Sequence, residues 1–208
     1  MINSLPQIVI LLFSIVFHEV AHGKVALWKG DTTARDAGRL TLNPIPHIDI
    51  FGTILFPLFL ILMRSPVLFG WAKPVPVNPW RLRESKKDMA LIGASGPASN
   101  FLLAVIAGIL FRISIGAIGA NNVLAQALFF AVFINLVLAF FNLIPIPPLD
   151  GSKIVMGFLP DDLALQYSRI GRYGFLIIFG LFFLGIFQRI LFPIVNLFLI
   201  LIIGVSPF

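Results

Sequence analysis

Long apolar runs separated by short polar segments make up nearly the whole chain. Five of these runs approach or reach the length of about 20 residues that a helix needs to cross a hydrocarbon layer of roughly 30 Å. They are roughly Ile8–Trp28, Met89–Phe111, Val123–Ile146, Tyr173–Phe187 and Ile190–Val205, the last two short and joined around Gln188 and Arg189. The pattern therefore predicts an all-α polytopic membrane protein with five to six transmembrane helices.

A sixth apolar run, Ile50–Met63, has only 14 residues and lies between Asp49 and Arg64. Runs of this length more often enter and leave a membrane on one side than cross it. If this run is re-entrant, thirteen of the 15 lysines and arginines lie on one face, whereas a crossing divides them nine to six. The positive-inside rule then places the N-terminus outside and the basic loops in the cytoplasm. We expect residues 29–47 to form a short cytoplasmic loop or β-hairpin.

Composition agrees with a membrane protein: 59% of the 208 residues are hydrophobic and only 12% are charged, about half the charged fraction of a soluble domain. The net charge of +6 could suggest nucleic-acid binding, but the basic residues lie in loops between apolar runs. The first run lacks a basic n-region and a small-residue cleavage site, so we interpret it as a retained span. We expect one membrane-embedded domain, with a catalytic core over about 8–151 and a C-terminal helical hairpin over about 173–206.

The first apolar run contains the pattern H-E-x-x-H at His18, Glu19 and His22. Residues four apart share one face of a helix, so the two imidazoles can bind a single metal ion. A zinc ion there would lower the pKa of a bound water, and Glu19, beside that face, could accept the proton. Charged groups are costly inside a bilayer and seldom lie there without a partner or a function. The alternative is a pair of histidines bonded to neighbouring helices, with Glu19 in a buried ion pair.

A catalytic zinc site needs a third protein ligand, and the chain has no cysteine to supply it. Glu84 is a poor candidate for this ligand because it lies in a basic loop, where a charged side chain is expected. His47, the only other histidine, is a further candidate. Asp150 ends an apolar span after Pro145, Pro147 and Pro148, which cannot all continue a helix. Unwound backbone at membrane depth needs protein or a water-filled cavity around it, so Asp150 is the preferred ligand. An Asp-Gly turn where the chain leaves the membrane is the alternative.

Four motifs together make the chain resemble the site-2 protease family of intramembrane zinc metalloproteases, in the short prokaryotic form without a PDZ or CBS domain. H-E-x-x-H at 18–22 is one motif, and N-x-x-P-x4-D-G at 142–151 is the second. The third is the small-residue stretch "GASGPASN" at 93–100, and the fourth is the loop "AGRLTLNPIPHID" at 37–49. The third stretch could equally serve plain helix packing.

The resemblance implies one zinc ion per chain, with His18, His22 and Asp150 as ligands and Glu19 as the general base. It implies that Asn142 holds the substrate or stabilises the tetrahedral intermediate, a reasonable role for an amide near a developing oxyanion. The substrate would be a transmembrane protein, and the enzyme would lie in a prokaryotic cell membrane with its site towards the cytoplasm. Two alternatives stay open, a membrane metal-ion transporter and another membrane zinc hydrolase.

Overall fold

A computed structural model describes residues 4–63, 70–119 and 122–204, and the regular elements within these ranges are all helical. The α-helices are α1 (Ser4–Trp28), α2 (Thr33–Asp36), α3 (Phe56–Leu62), α4 (Ser85–Ile118), α5 (Val123–Asn142), α6 (Asp150–Phe158), α7 (Asp161–Arg169), α8 (Gly174–Phe183) and α9 (Ile186–Ile203). Short 3₁₀ turns lie at Ile45–His47, Pro79–Arg81 and Ile170–Tyr173, and a π-helical segment, Ile50–Leu55, precedes α3. The predicted all-α class is confirmed.

Four helices in the described ranges are long and apolar enough to cross a membrane: α1, α4, α5 and α9. The structure differs from the expected Tyr173–Phe187 span, since α8 has only 10 residues and is too short to cross. Gly185, with a left-handed φ of 70°, separates α8 from α9. Helix α9 then runs without interruption through Gln188 and Arg189, where we expected the break.

Residues 29–47 form a loop with one helical turn, α2, so the β-hairpin considered for this region is wrong. The physical reason is local hydrogen bonding between side chains and the backbone two residues on, which favours a turn over cross-strand pairing. Asp31 accepts hydrogen bonds from both the backbone N–H and the hydroxyl of Thr33 at the start of α2. Further along, the side chain of Asn43 accepts a hydrogen bond from the backbone N–H of Ile45 and begins the 3₁₀ turn.

The short apolar run Ile50–Met63, which contains α3, is preceded and followed by segments that contact each other at one end of the helix bundle. After it, residues 70–78 (the 70–78 segment) lie against the loop that precedes it. Backbone N–H groups of this segment donate to the Gly52 carbonyl at 3.1 Å, the His47 carbonyl at 2.9 Å and the Asp31 carboxylate at 2.6 Å. This arrangement is the one that a re-entrant element requires.

Helix α4 lies at the centre of the bundle, between α1 and α5, and runs antiparallel to both. At one end, Lys29 after α1 pairs with Asp88 in the first turn of α4. Helices α1 and α5 are parallel, so the residues that follow α5 return to the same end as the C-terminal half of α1. Buried apolar residues of α4, α5 and α9, among them Ala104, Leu136 and Leu199, form the main core.

Candidate metal centre

Three side chains predicted as metal ligands meet in one buried cluster. The Nε2 atoms of His18 and His22 lie 3.0 Å apart, and Oδ2 of Asp150 lies 3.0 Å from the first and 3.1 Å from the second. The three residues are 5–6% exposed. They form the one group of histidine and acidic residues in the described ranges whose geometry could hold a metal ion.

Helix packing places these groups together. His18 and His22 lie one turn apart on α1, as their spacing predicts, and Asp150 is the first residue of α6. Helix α6 can approach the C-terminal end of α5 because residue 151 is glycine: a Cβ there would lie 2.2 Å from the Leu143 carbonyl oxygen. The proline-rich stretch and Gly151 thus turn the chain so that Asp150 faces α1.

The second nitrogen of each imidazole has its own partner. Nδ1 of His22 lies 2.6 Å from the backbone carbonyl of Ile92, and Nδ1 of His18 lies 2.6 Å from Oδ1 of Asn100. A carbonyl oxygen can only accept, so Nδ1 of His22 carries a hydrogen and its Nε2 presents a lone pair to the cluster. The ring orientations therefore match those of metal-binding histidines, which bond through one nitrogen and donate from the other.

The donor set fits zinc. Two imidazole nitrogens and a carboxylate oxygen are ordinary ligands of this ion. Bonds of about 2.0–2.2 Å bring tetrahedral ligand atoms to roughly 3.3–3.6 Å from each other, so donor atoms that lie 3.0–3.1 Å apart need to separate only slightly. Lone pairs this close repel one another unless a positive charge lies among them. The other oxygen of Asp150 is held by Lys153, whose Nζ lies 2.8 Å away. A zinc ion would be held by His18, His22 and Asp150, with a fourth position left for water or substrate.

Glu19 lies outside this donor set. Its Oε2 accepts a hydrogen bond of 2.8 Å from the backbone N–H of Val75, in the 70–78 segment. Val75 itself packs over the residue that follows His22, since a Cβ on Gly23 would lie 2.9 Å from Val75 Cγ1. The segment that follows the Ile50–Met63 run therefore contacts both the carboxylate predicted as general base and the helix that bears the histidines.

The remaining predicted residues make their hydrogen bonds and ion pairs with groups other than the three ligand side chains. Asn142 donates from Nδ2 to the Leu138 carbonyl of its own helix at 3.0 Å, so its role stays a prediction. His47, an alternative third ligand, is 2% exposed, and its Nε2 contacts the Thr41 carbonyl at 3.0 Å. Glu84 pairs with Lys87, as expected for a loop charge.

Sequence reasoning missed several residues that surround the histidines. Asn100 and Ser95 of α4 contact the imidazoles, and Lys153 contacts the carboxylate. A Cβ on Gly96 would lie 2.5 Å from atoms of both rings. The stretch "GASGPASN" could have predicted the contacts of Gly96 and Asn100, because positions 96 and 100 share one face of α4. It lines the cluster of His18, His22 and Asp150 rather than serving only as packing.

Comparison with known proteins agrees with this site. Residues 112–185 match the model of Peptidase family M50. A Bacillus subtilis protein named "Putative zinc metalloprotease YwhC" is 39% identical over 202 residues, covering 94% of this chain and 88% of that protein. The chain belongs to Peptidase family M50. A second relative, "Putative zinc metalloprotease Rip2" of Mycolicibacterium smegmatis, is 27% identical over 184 residues, covering 88% of this chain and 69% of that protein. No solved structure matches the chain.

Membership of family M50 confirms the resemblance to the site-2 proteases and the assignment as a zinc metalloprotease. It also favours a hydrolase over the metal transporter considered from the sequence. With four apolar helices of spanning length, this M50 protein is an integral membrane zinc protease. Its His-His-Asp cluster is the place in the described chain where the zinc could bind.

Proposed function

We propose that this protein is an intramembrane protease that hydrolyses peptide bonds in or near the transmembrane segments of other membrane proteins, the reaction used in regulated intramembrane proteolysis. In this proposal His18, His22 and Asp150 bind the zinc ion and Glu19 is the general base. The observation that carries it is the convergence of the three donor atoms within about 3 Å, inside a bundle of membrane-spanning helices.

The depth of the cluster supports a membrane-embedded substrate. His18 lies ten residues before the end of α1, and its ring contacts Asn100, about four turns into α4. A peptide bond must reach this depth, which a substrate that already lies in the bilayer can do. The substrate helix must unwind there, because its own hydrogen bonds shield each carbonyl inside an intact helix.

Bound zinc supplies a Lewis acid and lowers the pKa of water. Glu19 accepts a proton as the water oxygen bonds to the carbonyl carbon, and returns it to the amide nitrogen as the C–N bond breaks. One water is consumed, and a carboxylate and an amine are formed. The Val75 N–H holds the Glu19 carboxylate in one orientation. Asn142 is proposed to hold the substrate, with its amide donating to the carbonyl oxygen where negative charge develops.

The site is proposed to face the cytoplasm. The basic loop before Asp49 and the one around Arg81 and Lys86 lie at the end of the bundle that is nearer to His22 and Asp150. Lysine and arginine are enriched in short cytoplasmic loops, so this end is the cytoplasmic one.

The test compares the only two glutamates in the chain, Glu19 and Glu84. Glu19→Gln keeps the size of the side chain and removes the base, so it should keep one zinc per chain and lose cleavage of a model transmembrane substrate. Glu84→Gln, in an exposed loop ion pair, is the matched control and should cleave normally. Membrane proteomics with wild type against Glu19→Gln should then reveal substrates that accumulate uncleaved. Full activity of Glu19→Gln would overturn the proposed role of Glu19.

A test of the ligands is separate from the test of the base. Asp150→Ala should lower zinc content as well as activity, because a ligand is lost. Unchanged zinc stoichiometry in this variant would place the third ligand elsewhere.

A further inference from the structure

A buried network of three polar side chains lies behind His18, on the side away from Asp150. Asn100 of α4, Asn135 of α5 and Ser14 of α1 are 0%, 2% and 1% exposed. Asn100 Nδ2 lies 2.8 Å from Asn135 Oδ1, and Asn135 Nδ2 lies 2.9 Å from the Ser14 hydroxyl. Three spanning helices therefore contribute one side chain each. Burying such groups is costly unless all of them are hydrogen-bonded, as they are here.

Backbone carbonyls, which can only accept, set the direction of every bond in this network. Asn135 Nδ2 donates to the Ala131 carbonyl at 2.9 Å, so its Oδ1 faces Asn100. Asn100 Nδ2 likewise donates to the Ser14 carbonyl at 3.2 Å, and a flipped amide would place its oxygen against that carbonyl. The orientation of both amides therefore follows from fixed acceptors rather than from a choice between similar atoms.

The Ser14 hydroxyl completes the sequence of bonds, since it donates to the Ile10 carbonyl at 2.8 Å and accepts from Asn135. At the other end, Oδ1 of Asn100 is left as an acceptor 2.6 Å from Nδ1 of His18. Only the tautomer with hydrogen on Nδ1 can satisfy this contact. In a neutral imidazole the Nε2 lone pair of His18 then faces Nε2 of His22 and the Asp150 carboxylate.

We propose that Asn100, held in orientation by Asn135 and Ser14, is a positioning residue that fixes the tautomer and direction of His18 for zinc binding. This inference rests on the proposed role of His18 as a ligand. Partners of this kind usually change metal affinity about 10- to 100-fold when they are removed. Nδ1 of His22 has other partners, the Ile92 carbonyl at 2.6 Å and the Ser95 hydroxyl at 3.3 Å, so substitution of Asn100 disturbs the imidazole of His18 selectively.

Two substitutions of Asn100, by side chains of nearly the same size, distinguish a role in positioning His18 from a role in stabilising the fold. Asn100→Asp keeps an acceptor for His18 Nδ1 but loses the amide N–H groups that bond to Asn135 and Ser14. Asn100→Leu loses both. Zinc affinity of the purified full chain in detergent, measured by competition with a chromophoric chelator, should be within a few-fold of wild type for Asn100→Asp and about 10- to 100-fold weaker for Asn100→Leu. Thermal unfolding without zinc should show both variants destabilised.

Ser99→Ala is the matched control, because Ser99 is buried next to Asn100 on α4 but its hydroxyl donates only to the Gly96 carbonyl of the same helix. Its zinc affinity should equal that of wild type. Equal zinc affinities for Asn100→Asp and Asn100→Leu, both weakened or both normal, would overturn the positioning role.

Two further measurements test the positioning role of Asn100 even if Asn100→Leu does not fold. They also distinguish this role from the assignment of His18 as a zinc ligand. The chain has three histidines, so ¹⁵N-histidine labelling of the wild-type protein gives three ring systems. With zinc added, His18 should keep hydrogen on Nδ1; a zinc-bound Nδ1 would overturn the inference.

His18→Ala should lose zinc binding. Normal zinc affinity in His18→Ala would overturn the proposed ligand set and this inference together, whereas normal affinity in Asn100→Leu alone overturns only this inference.

Discussion

Gly96 lies directly against His22: a Cβ built on this glycine would lie 2.5 Å from both Cε1 and Nε2 of the imidazole, and 2.5 Å from Cε1 of His18. Heavy atoms in contact do not approach this closely. The contact explains why the centre of α4 has no side chain at residue 96, since the rings that face Asp150 occupy that space. Helix α4 is therefore shaped around the metal centre.

Gly96→Ala should weaken zinc binding by about 5- to 150-fold, because overpacking a tight site usually costs roughly 1–3 kcal/mol. Gly116→Ala, on the same helix with nothing within 4 Å of its Cβ, is the control and should bind zinc normally. Chelator competition on both purified variants measures the difference. Normal zinc affinity in Gly96→Ala would mean that the rings can move away from α4 at little cost.

The hydrogen bond between Val75 N–H and Glu19 makes a second prediction, and it concerns activity rather than zinc. Val75→Pro removes this N–H without touching a ligand. A hydrogen bond to a charged group is worth about 1.5–3 kcal/mol, so the rate constant for cleavage should fall roughly 10- to 150-fold with zinc content unchanged.

Val77→Pro is the matched control for Val75→Pro. Both substitutions place a proline directly after an existing one, and Val77 N–H has no hydrogen-bond partner among the described residues. Cleavage by Val77→Pro should be close to wild type. Increased cleavage by Val75→Pro would show instead that the 70–78 segment restrains Glu19 and limits the reaction.

The convergence of His18, His22 and Asp150 was largely predictable from sequence because its chemistry is local. His18 and His22 are one helical turn apart, and Asp150 remained when the other acids were explained by their loops. The amide network was not predictable, since the bonds from His18 through Asn100 to Asn135 depend on how three helices pack against one another. No pattern within a single helix encodes that contact.

The helix count was less predictable because an apolar run does not reveal where it bends. The chain from Tyr173 to Val205 is almost uniformly apolar, and the polar pair Gln188 and Arg189 was the natural place to divide it. The turn instead occurs at Gly185, where a left-handed φ is free of the steric cost that other residues meet. The loop at 29–47 was ambiguous for a different reason, since hydrogen bonds from the backbone and hydroxyl of Thr33 to the Asp31 side chain favour the turn.

Asp31 links the end of α1 to the 70–78 segment and should make stability depend on acid pH. Burial alone would raise the pKa of this carboxyl, but hydrogen bonds from the Thr33 hydroxyl and from the Asn78 and Thr33 backbone lower it below its ordinary value of 3.8. A group whose pKa is lowered in the folded state stabilises it fully above the ordinary value. That contribution is lost as the pH falls below 3.8 and through the folded pKa.

Asp31→Asn should lower the melting temperature at pH 7, because an amide oxygen cannot accept all the bonds of the carboxylate; the expected loss is about 1–3 kcal/mol. The difference from wild type should shrink as the pH falls below 3.8. Melting curves of the full chain in detergent between pH 3 and pH 8 measure this, with Asp162→Asn, in an exposed first turn of α7, as control. A constant difference across the range would contradict the pH linkage.

Labelling of single cysteines tests both the re-entrant run and the proposed orientation, on a chain that has no cysteine of its own. Trp28 and Trp80 are 78% and 95% exposed at the end of the bundle that contains the metal centre, and Val123, 67% exposed, begins α5 at the other end. With a membrane-impermeant maleimide, Trp28→Cys and Trp80→Cys should react only after the cells are opened, and Val123→Cys should react in intact cells. Opposite behaviour of positions 28 and 80 would show that the run between them crosses the membrane. Reaction of both in intact cells would reverse the orientation and leave the re-entrant run in place.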